Sequence, residues 1–537
     1  MEFFRSLSRP RQILLALTAL ALLCGVALRI YNLRGSGFFF YDEGLYLNHN
    51  RAILEFIQSH SPMNREDSWR AFTYYAHLAM ASGKSLWFFI VDSRFLWGAL
   101  RDWEFGKVMA SVFGLATLPL FFHFVRRFSG SISTALLAVG LLAILPGHVF
   151  YSRIGLQEAV SIFLVLAGFY LYLFPGRFGW RTLMAGLLFG AAFFANYRLC
   201  MMPILVFTAE LWTGLVERRG IDWRRFAWFF VAFLACAVLI GNLFEGANTV
   251  MIFAWVFHQG DTARDVFAWV NLLSYPYYLF KMENWILTFF FFGNLYFVYK
   301  KQWSLLLPFV LVCAQMFIFS LTNEKGARYI AVMLPFYVLS AACFIRALYD
   351  VLSVRKRLVL VGVSGIMALL MLGQSVQLAQ ARSDYEKAEQ YLEDKQPGVK
   401  FFAAQDPVMQ IYVGLSGRVK PVPGNFEGLL KLYSEGYRYL VLGPQAYVDL
   451  GSGGRFLLPL KDYLSFIDSR ADPVKVFPHM NYAMTERFVL EHSTNLIDSI
   501  RFLASPDIQK YSSVRIYDLS RVVPVMARIA DGLHKKK

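Results

Sequence analysis

The stretch FFFYDEGLY, Phe38 to Tyr46, decides how the rest of this chain is read. Two carboxylates, Asp42 and Glu43, stand side by side behind three phenylalanines and Tyr41, with Gly44 following. The run begins just outside the first apolar segment. Ionisable groups at that depth are costly unless they face water, a partner or a substrate. An interfacial aromatic belt followed by a solvated Asp-Glu turn accounts for the same residues. What separates the two readings is the surrounding chain.

That chain has 537 residues, 57% of them hydrophobic and 17% aromatic, and its mean hydropathy is +0.44. The apolar residues fall in runs long enough to cross a bilayer, which an ordinary soluble protein does not carry. The formal net charge is +16. In a membrane protein that excess belongs first to the cytoplasmic loops. No basic-aromatic groove or zinc spacing is present, so no nucleic-acid partner is expected. Cys24, Cys200, Cys236, Cys313 and Cys343 lie within or at the ends of apolar stretches. Odd in number and dispersed, they read as small core hydrophobes rather than a disulfide framework or a metal cluster.

Arg5, Arg9 and Arg11 precede the apolar run Ile13 to Ala27, as in a secretory signal. No small-x-small cleavage pattern follows and the run continues to Ile30, so a retained first helix with a cytoplasmic amino end is expected. About eleven crossings satisfy the thickness criterion. They are 12–33, 105–125, 131–150, 158–175, 181–196, 199–216, 226–243, 284–300, 303–321, 328–348 and 358–377. Alternate loops hold Arg126/Arg127, Arg177/Arg181, Arg218/Arg219/Arg224/Arg225, Lys300/Lys301 and Arg355/Lys356/Arg357, all on the side of the amino terminus. This positive-inside pattern puts the acidic pair and the carboxyl-terminal part outside.

The expected division is a membrane core over 1–377, including a long outer loop over 34–104, and a soluble α/β domain over 378–537. Leu86 to Leu100 reads as an amphipathic run along the interface. A second outer segment, Phe244 to Glu283, holds His258, Asp261, Arg264 and Asp265. In the terminal part, Ala381 to Lys395 and Phe426 to Tyr437 read as helices. Val399–Ala403, Tyr439–Leu442, Val474–Phe477 and Val514–Tyr517 read as strands. Gly451-Ser-Gly-Gly454 reads as a flexible turn.

An ordered series of motifs runs through the core. Asp42-Glu43-Gly44 is followed by Gly83-Lys84-Ser85-Leu86-Trp87, then by Lys107, Ser111 and Gly114. Leu145-Pro146-Gly147, Tyr151-Ser152-Arg153 and Glu158 come next, then Gly186, Gly190 and Asn196-Tyr197-Arg198. Lys325-Gly-Ala-Arg328-Tyr329 and Pro335 close the series. Over roughly Arg11 to Leu348 the chain resembles the GT-C glycosyltransferases, in particular the protein O-mannosyltransferase and lipid A aminoarabinose transferase group. The resemblance implies a polytopic α-helical membrane enzyme that takes a sugar from a polyprenyl-phosphate carrier on the outer side of the membrane. Lys107 stands where that family usually has Arg, and Ser85 replaces a common Pro. Lysine is a point charge and lacks the bidentate fork of arginine.

The chemistry suits these residue types. A carboxylate beside the anomeric carbon can accept the proton of an acceptor hydroxyl. Attack opposite the departing phosphate then inverts the configuration. The resemblance places the catalytic acid residue at the first member of the pair, Asp42. Glu43 is then a holder of sugar or acceptor, or a structural hydrogen-bonding residue. The leaving phosphate calls for cations at the same level, and the candidates are Arg153, Arg328, Lys325, Arg198 and Lys107. For each, a snorkelling anchor is the competing account. Tyr41, Tyr46, Lys84 and Glu158 are candidates for the sugar or acceptor. His148 reads as a helix-end residue. No cofactor and no dedicated metal site is expected, with room left for a loosely held divalent cation at the acidic pair. The runs Phe289 to Phe292 and Phe193/Phe194 read as helix packing before a groove for the isoprenoid chain.

The expected partners are a polyprenyl-phosphate-linked sugar, an extracytoplasmic acceptor and the lipid bilayer. The expected location is the inner (plasma) membrane, multi-pass. Three rivals stand beside this reading: a proton-coupled transporter or lipid flippase, a noncatalytic platform, and a polysaccharide ligase using a diphosphate carrier. A transporter favours paired repeats and charges near the midplane; this chain shows neither.

Overall fold

A computed structural model describes residues 9–48, 51, 85–92, 104–174, 179–240, 269–322, 325–414, 417–447, 462–478, 480–492, 496–506 and 508–524. Lys84, the His258 to Asp265 cluster and the Gly451–Gly454 turn lie outside them. The chain divides into two compact units: Met1–Leu33 with Met63–Ala379, and Arg34–Pro62 with Gln380–Lys537. The second unit thus takes in the segment carrying the acidic pair together with the terminal domain.

The first unit is helical. Its helices start and stop where the sequence supplies the chemistry. The Phe105–Ser129 helix ends at Gly130 in the left-handed conformation, φ 64°. Ser131 then caps Ile132–Ala143 by accepting from Thr134 N at 3.2 Å. Arg126 and Arg127 therefore fall in a last turn, where cations complement the helix dipole. The expected span 131–150 is broken, because Pro146 disfavours α geometry at Leu145. Leu145 is extended, φ −65° and ψ 124°, and a short helix Pro146–Tyr151 follows.

Among the described residues, six helices are long and apolar enough to cross a membrane: Gln12–Ile30, Phe105–Ser129, Tyr197–Val216, Trp303–Ser320, Ala327–Val351 and the run Val354–Lys395. This falls short of the eleven expected. Ile132–Ala143, Glu158–Leu173, Trp180–Ala195 and Trp285–Tyr299 are apolar but shorter. At 1.5 Å per residue a 16-residue helix reaches only about 24 Å, less than a hydrocarbon core of about 30 Å. The expected 226–243 crossing runs past residue 240, the last described there.

Ala327–Val351 is the most enclosed of the six. Phe336 on it meets Phe124 and Phe169 at ring-centroid distances of 5.5 and 5.0 Å. Phe169 continues to Phe189 at 5.1 Å, and Phe189 to Phe229 at 5.6 Å. Tilted and edge-on pairs of this kind add to the area they bury. Phe291 is buried against Phe309 and Tyr337, and Phe193 and Phe194 are buried together, whereas Phe289 is exposed.

The second unit holds a five-stranded mixed sheet in the order β2-β1-β3-β5-β4. Its strands are β1 (Lys400–Ala403), β2 (Val419–Pro421), β3 (Tyr437–Leu442), β4 (Lys475–Phe477) and β5 (Val514–Asp518). β1 pairs in parallel with β2 and β3, and β5 runs antiparallel to both β3 and β4. Four of the strands match the apolar runs of the sequence; β2, three residues ending in Pro421, carries no such run. Helices Tyr385–Lys395 and Phe426–Ser434 fall inside their expected ranges. Phe402, Leu429, Leu440 and Tyr517 are among the residues that close the core.

Candidate active site

Residues 41–48 form a helix. Its first turn is closed by Glu43 N and Gly44 N, donating to the Phe40 carbonyl at 3.0 and 3.4 Å. The Glu43 carboxylate turns back on the chain: Oε2 accepts from Phe39 N at 2.9 Å and from Phe40 N at 3.1 Å. Glutamate at the third helical position satisfies donors that a helix start leaves over, the acidic half of a capping box. Its burial, at 1% exposure, makes those bonds valuable. Asp42, one residue earlier, is partly exposed in the first turn, where the helix dipole favours negative charge. The two adjacent acids thus have different surroundings.

This helix packs on another from the terminal domain, Asp406–Val413. Gln405 Nε2 donates to the Phe39 carbonyl at 3.0 Å. Asn48 Nδ2 donates to the Pro407 carbonyl at 2.8 Å and to Gln410 Oε1 at 3.1 Å. Gly44 lies between. A methyl group on it would stand 2.5 Å from both the Pro407 carbonyl carbon and Val408 N, so only hydrogen fits. Phe40 stacks on Phe488 and His492, at 5.4 and 5.7 Å.

Tyr41 is partly exposed and Tyr46 is buried. Burial, then the charges of Asp406 and Asp42, hold the Tyr41 phenol above its usual range. Asp406 was not singled out by the sequence reading. Its one signal is Asp406-Pro407 opening an apolar run, a common helix start. Burial pushes its carboxyl up to about 6.

The candidate cations belong to the first unit. Arg153 is buried, and its Nη1 donates to the carbonyls of Leu28 and, at 2.9 Å, Tyr31; its Nη2 reaches Ala379 O at 3.0 Å. Its guanidinium thus gathers carbonyls from the ends of Arg9–Ile30 and Val354–Gln380. Lys107 is buried in an ion pair with Glu104 at 2.6 Å. Glu158 is buried, with Gln157 Nε2 at 3.4 Å from its Oε1. Arg198 is half-exposed, its guanidinium 4.5 Å from the centre of the Tyr329 ring, next to Arg328 in sequence. Lys325 is buried, donating to Ser320 O at 2.6 Å and to Thr322 O. Arg198, Lys325 and Arg328 therefore come from two distant motifs that meet at Tyr329. Burial pulls the Lys325 ammonium down to about 8.

Two buried carboxylates in this unit escaped the sequence reading. Glu283 Oε2 accepts from Gly147 N at 2.7 Å, and a methyl group on Gly147 would stand 2.1 Å from Glu283 Oε1. Glu210 binds Arg219 at 2.7 Å, Arg225 at 3.4 Å and the Tyr172 hydroxyl at 3.0 Å. His148 Nδ1 accepts from Arg29 at 2.5 Å, a helix-end partner as expected. Among the described residues, no three His, Cys, Asp or Glu side chains gather to hold a metal ion.

No family model and no curated protein matches this chain. Solved structures do. The apo oligosaccharyltransferase of Archaeoglobus fulgidus aligns over 91% of this chain and 72% of its own, with TM-score 0.55 at 12% identity. The Archaeoglobus fulgidus oligosaccharyltransferase AglB, in complex with an inhibitory peptide and a dolichol-phosphate, aligns over 81% and 70%, with TM-score 0.53 at 13% identity. Apo ArnT from Cupriavidus metallidurans aligns over 82% and 94%, with TM-score 0.50 at 14% identity. The chain has the GT-C fold. At such identities the likeness speaks for the fold, and the chemistry has to come from the residues.

Proposed function

We propose that this chain is an inverting glycosyltransferase that moves a sugar from a polyprenyl-phosphate carrier to an extracytoplasmic acceptor. The observation that carries the reading is the division of labour in the acidic pair. Glu43 is spent on the backbone of the helix start, and Asp42 is partly exposed beside it. The fold likeness supports the class of reaction. AglB, one of the likened proteins, was captured with a dolichol-phosphate.

In this reading Asp42 accepts the proton of the acceptor hydroxyl. The oxygen's electron pair forms the new bond to the anomeric carbon. The bond from that carbon to the phosphate oxygen breaks, and its electrons leave with the polyprenyl phosphate. Arg198 and Arg328 take the phosphate charge, since cationic donors strengthen as it develops; Lys325, buried and donating to the Ser320 and Thr322 carbonyls, is kept as a third candidate. Arg153 and Lys107, committed to carbonyls and to Glu104, brace the framework. Tyr41 and Tyr46 are kept for the sugar or acceptor.

The test uses purified chain, a synthetic polyprenyl-phosphate hexose, and the envelope fraction of the expressing cells as acceptor. Release of polyprenyl phosphate is scored. Asp42→Asn keeps the shape but takes no proton, and is expected to lose about 10²–10⁴-fold in rate while still binding the carrier. Glu43→Gln, which keeps an acceptor for the two amides, is expected to be milder. Wild-type turnover in Asp42→Asn overturns the reading.

A further inference from the structure

The terminal domain holds a cavity of about 930 Å³ between the Asp462–Arg470 helix, the Tyr482–Glu491 helix and the start of β5. Its size lies near the top of the range for small-ligand sites, about 300–1,000 Å³. Within the lining, Asp468 gathers three donors: the Tyr517 hydroxyl at 2.6 Å, Lys510 Nζ at 2.9 Å and Arg515 Nη1. Thr485, Ser512 and Ser513 add three buried hydroxyls. Each donates its proton to a carbonyl of its own segment: Asn481 at 3.0 Å, Gln509 at 3.0 Å and Lys510 at 2.7 Å. A hydroxyl that has given its proton can still accept one.

Such a lining suits hydroxyl groups better than an anion, which calls for an excess of donors. Here Lys510 and Arg515 already share Asp468, and exposed Arg470 is matched in charge by exposed Asp472. The three hydroxyl oxygens present lone pairs, which call for a ligand that gives protons. The half-exposed Lys510 ammonium suits one that also takes them. A sugar hydroxyl does both. Tyr482, exposed at a helix start, adds a ring against which the C–H side of a sugar can lie.

The Tyr482–Glu491 helix links this cavity to the acidic segment. Asn481 caps its start, accepting from Met484 N at 2.9 Å, and there Tyr482 and Thr485 line the cavity. At its other end Phe488 and His492 stack on Phe40, two residues before Asp42. Ten residues of helix measure about 15 Å. We propose that the cavity is an acceptor subsite and that the acceptor is a glycan. Its sugars are held through their hydroxyls at Thr485, Ser512 and Ser513, and a further hydroxyl of the same glycan is presented to Asp42. The inference rests on the reading of Asp42 as the base, and the bond and proton changes of the transfer stay as described.

Two measurements on the purified full-length chain test it. The first is binding of oligosaccharides released from the envelope of the expressing cells and tagged with a fluorescent amine, read by polarisation without donor. Wild type is expected to bind them, and Ser512→Ala/Ser513→Ala to bind about tenfold more weakly, as for lost hydrogen bonds to a ligand. If that variant fails to fold, Tyr482→Ala, changed at an exposed position, is expected to show the loss instead. The second is transfer to the envelope acceptor, where the loss is expected in KM for the acceptor and not in KM for the donor. Acceptor activity is expected to survive protease digestion and solvent extraction of the envelope, and to be lost after periodate, which cleaves vicinal diols. No glycan binding by wild type, or equal binding by the folded variant, overturns the inference. So does acceptor activity that protease or solvent extraction removes and periodate spares. The two readings fail separately. An active Asp42→Asn removes the base assignment and leaves the glycan site, whereas a dead Asp42→Asn with unaltered glycan binding in the cavity variants removes the site alone.

Discussion

Asn48 Nδ2 donates to the Pro407 carbonyl at 2.8 Å, joining residues 359 apart in the chain. With the Gln405 to Phe39 bond, it makes the acidic helix a part of the terminal domain's unit. The carboxylates that looked like an appendage of the first membrane helix are held by the soluble domain instead. Domain and acidic pair therefore rise and fall together.

The first consequence concerns Gly44. In Gly44→Ala the new methyl group meets backbone, not the yielding end of a side chain. The Asp406–Val413 helix has to move away, at about 1–3 kcal/mol, as for other overpacked contacts. A lower midpoint of thermal unfolding and a large loss of transfer are expected together. A variant as stable and as active as wild type would show that the two helices part without cost.

Arg153 offers a second test. Arg153→Ala leaves the carbonyls of Leu28, Tyr31 and Ala379 without this donor, at about 1–3 kcal/mol for each left unpaired. Arg153→Lys cannot span them, because an ammonium lacks the planar fork. Both variants are expected to unfold at a lower temperature, with carrier affinity falling only as far as folding does. Full stability combined with lost carrier binding would move Arg153 into the phosphate site.

Lys325 sets a pH dependence with two opposite signs. Its folded value of about 8 lies below the ordinary lysine value of 10.5. Between the two, the unfolded chain binds more protons than the folded one, so stability rises as pH rises through that window. If Lys325 holds the carrier phosphate, affinity for the carrier falls over the lower part of the same window. Binding of a fluorescent polyprenyl phosphate from pH 7 to 9.5 is expected to weaken with a midpoint near 8. Lys325→Arg, charged throughout, is expected to flatten the curve. A wild-type curve that is already flat separates Lys325 from the phosphate.

Much of this molecule was legible along the chain. Membrane class follows from apolar runs, one helix end follows from Gly130 and two helix starts from Ser131 and Pro146, because burial period and capping are local properties. The terminal sheet was visible for the same reason, in four apolar runs between turn residues. Only β2, paired by backbone over three residues, left no trace there. Hydropathy sees 131–150 as one apolar run, whereas the backbone breaks at Leu145 before Pro146. What the tertiary structure alone decided is where each polar group spends its hydrogen bonds. Asp42 and Glu43 are adjacent and alike in the sequence, yet one is a buried cap and the other is partly exposed. Arg153 resembles a phosphate ligand until Leu28, Tyr31 and Ala379 converge on it from up to 226 residues away. Asp406 resembles any acid before a proline until the acidic helix is laid along it. Such distinctions come from contacts across hundreds of residues, and neither hydropathy nor spacing encodes them.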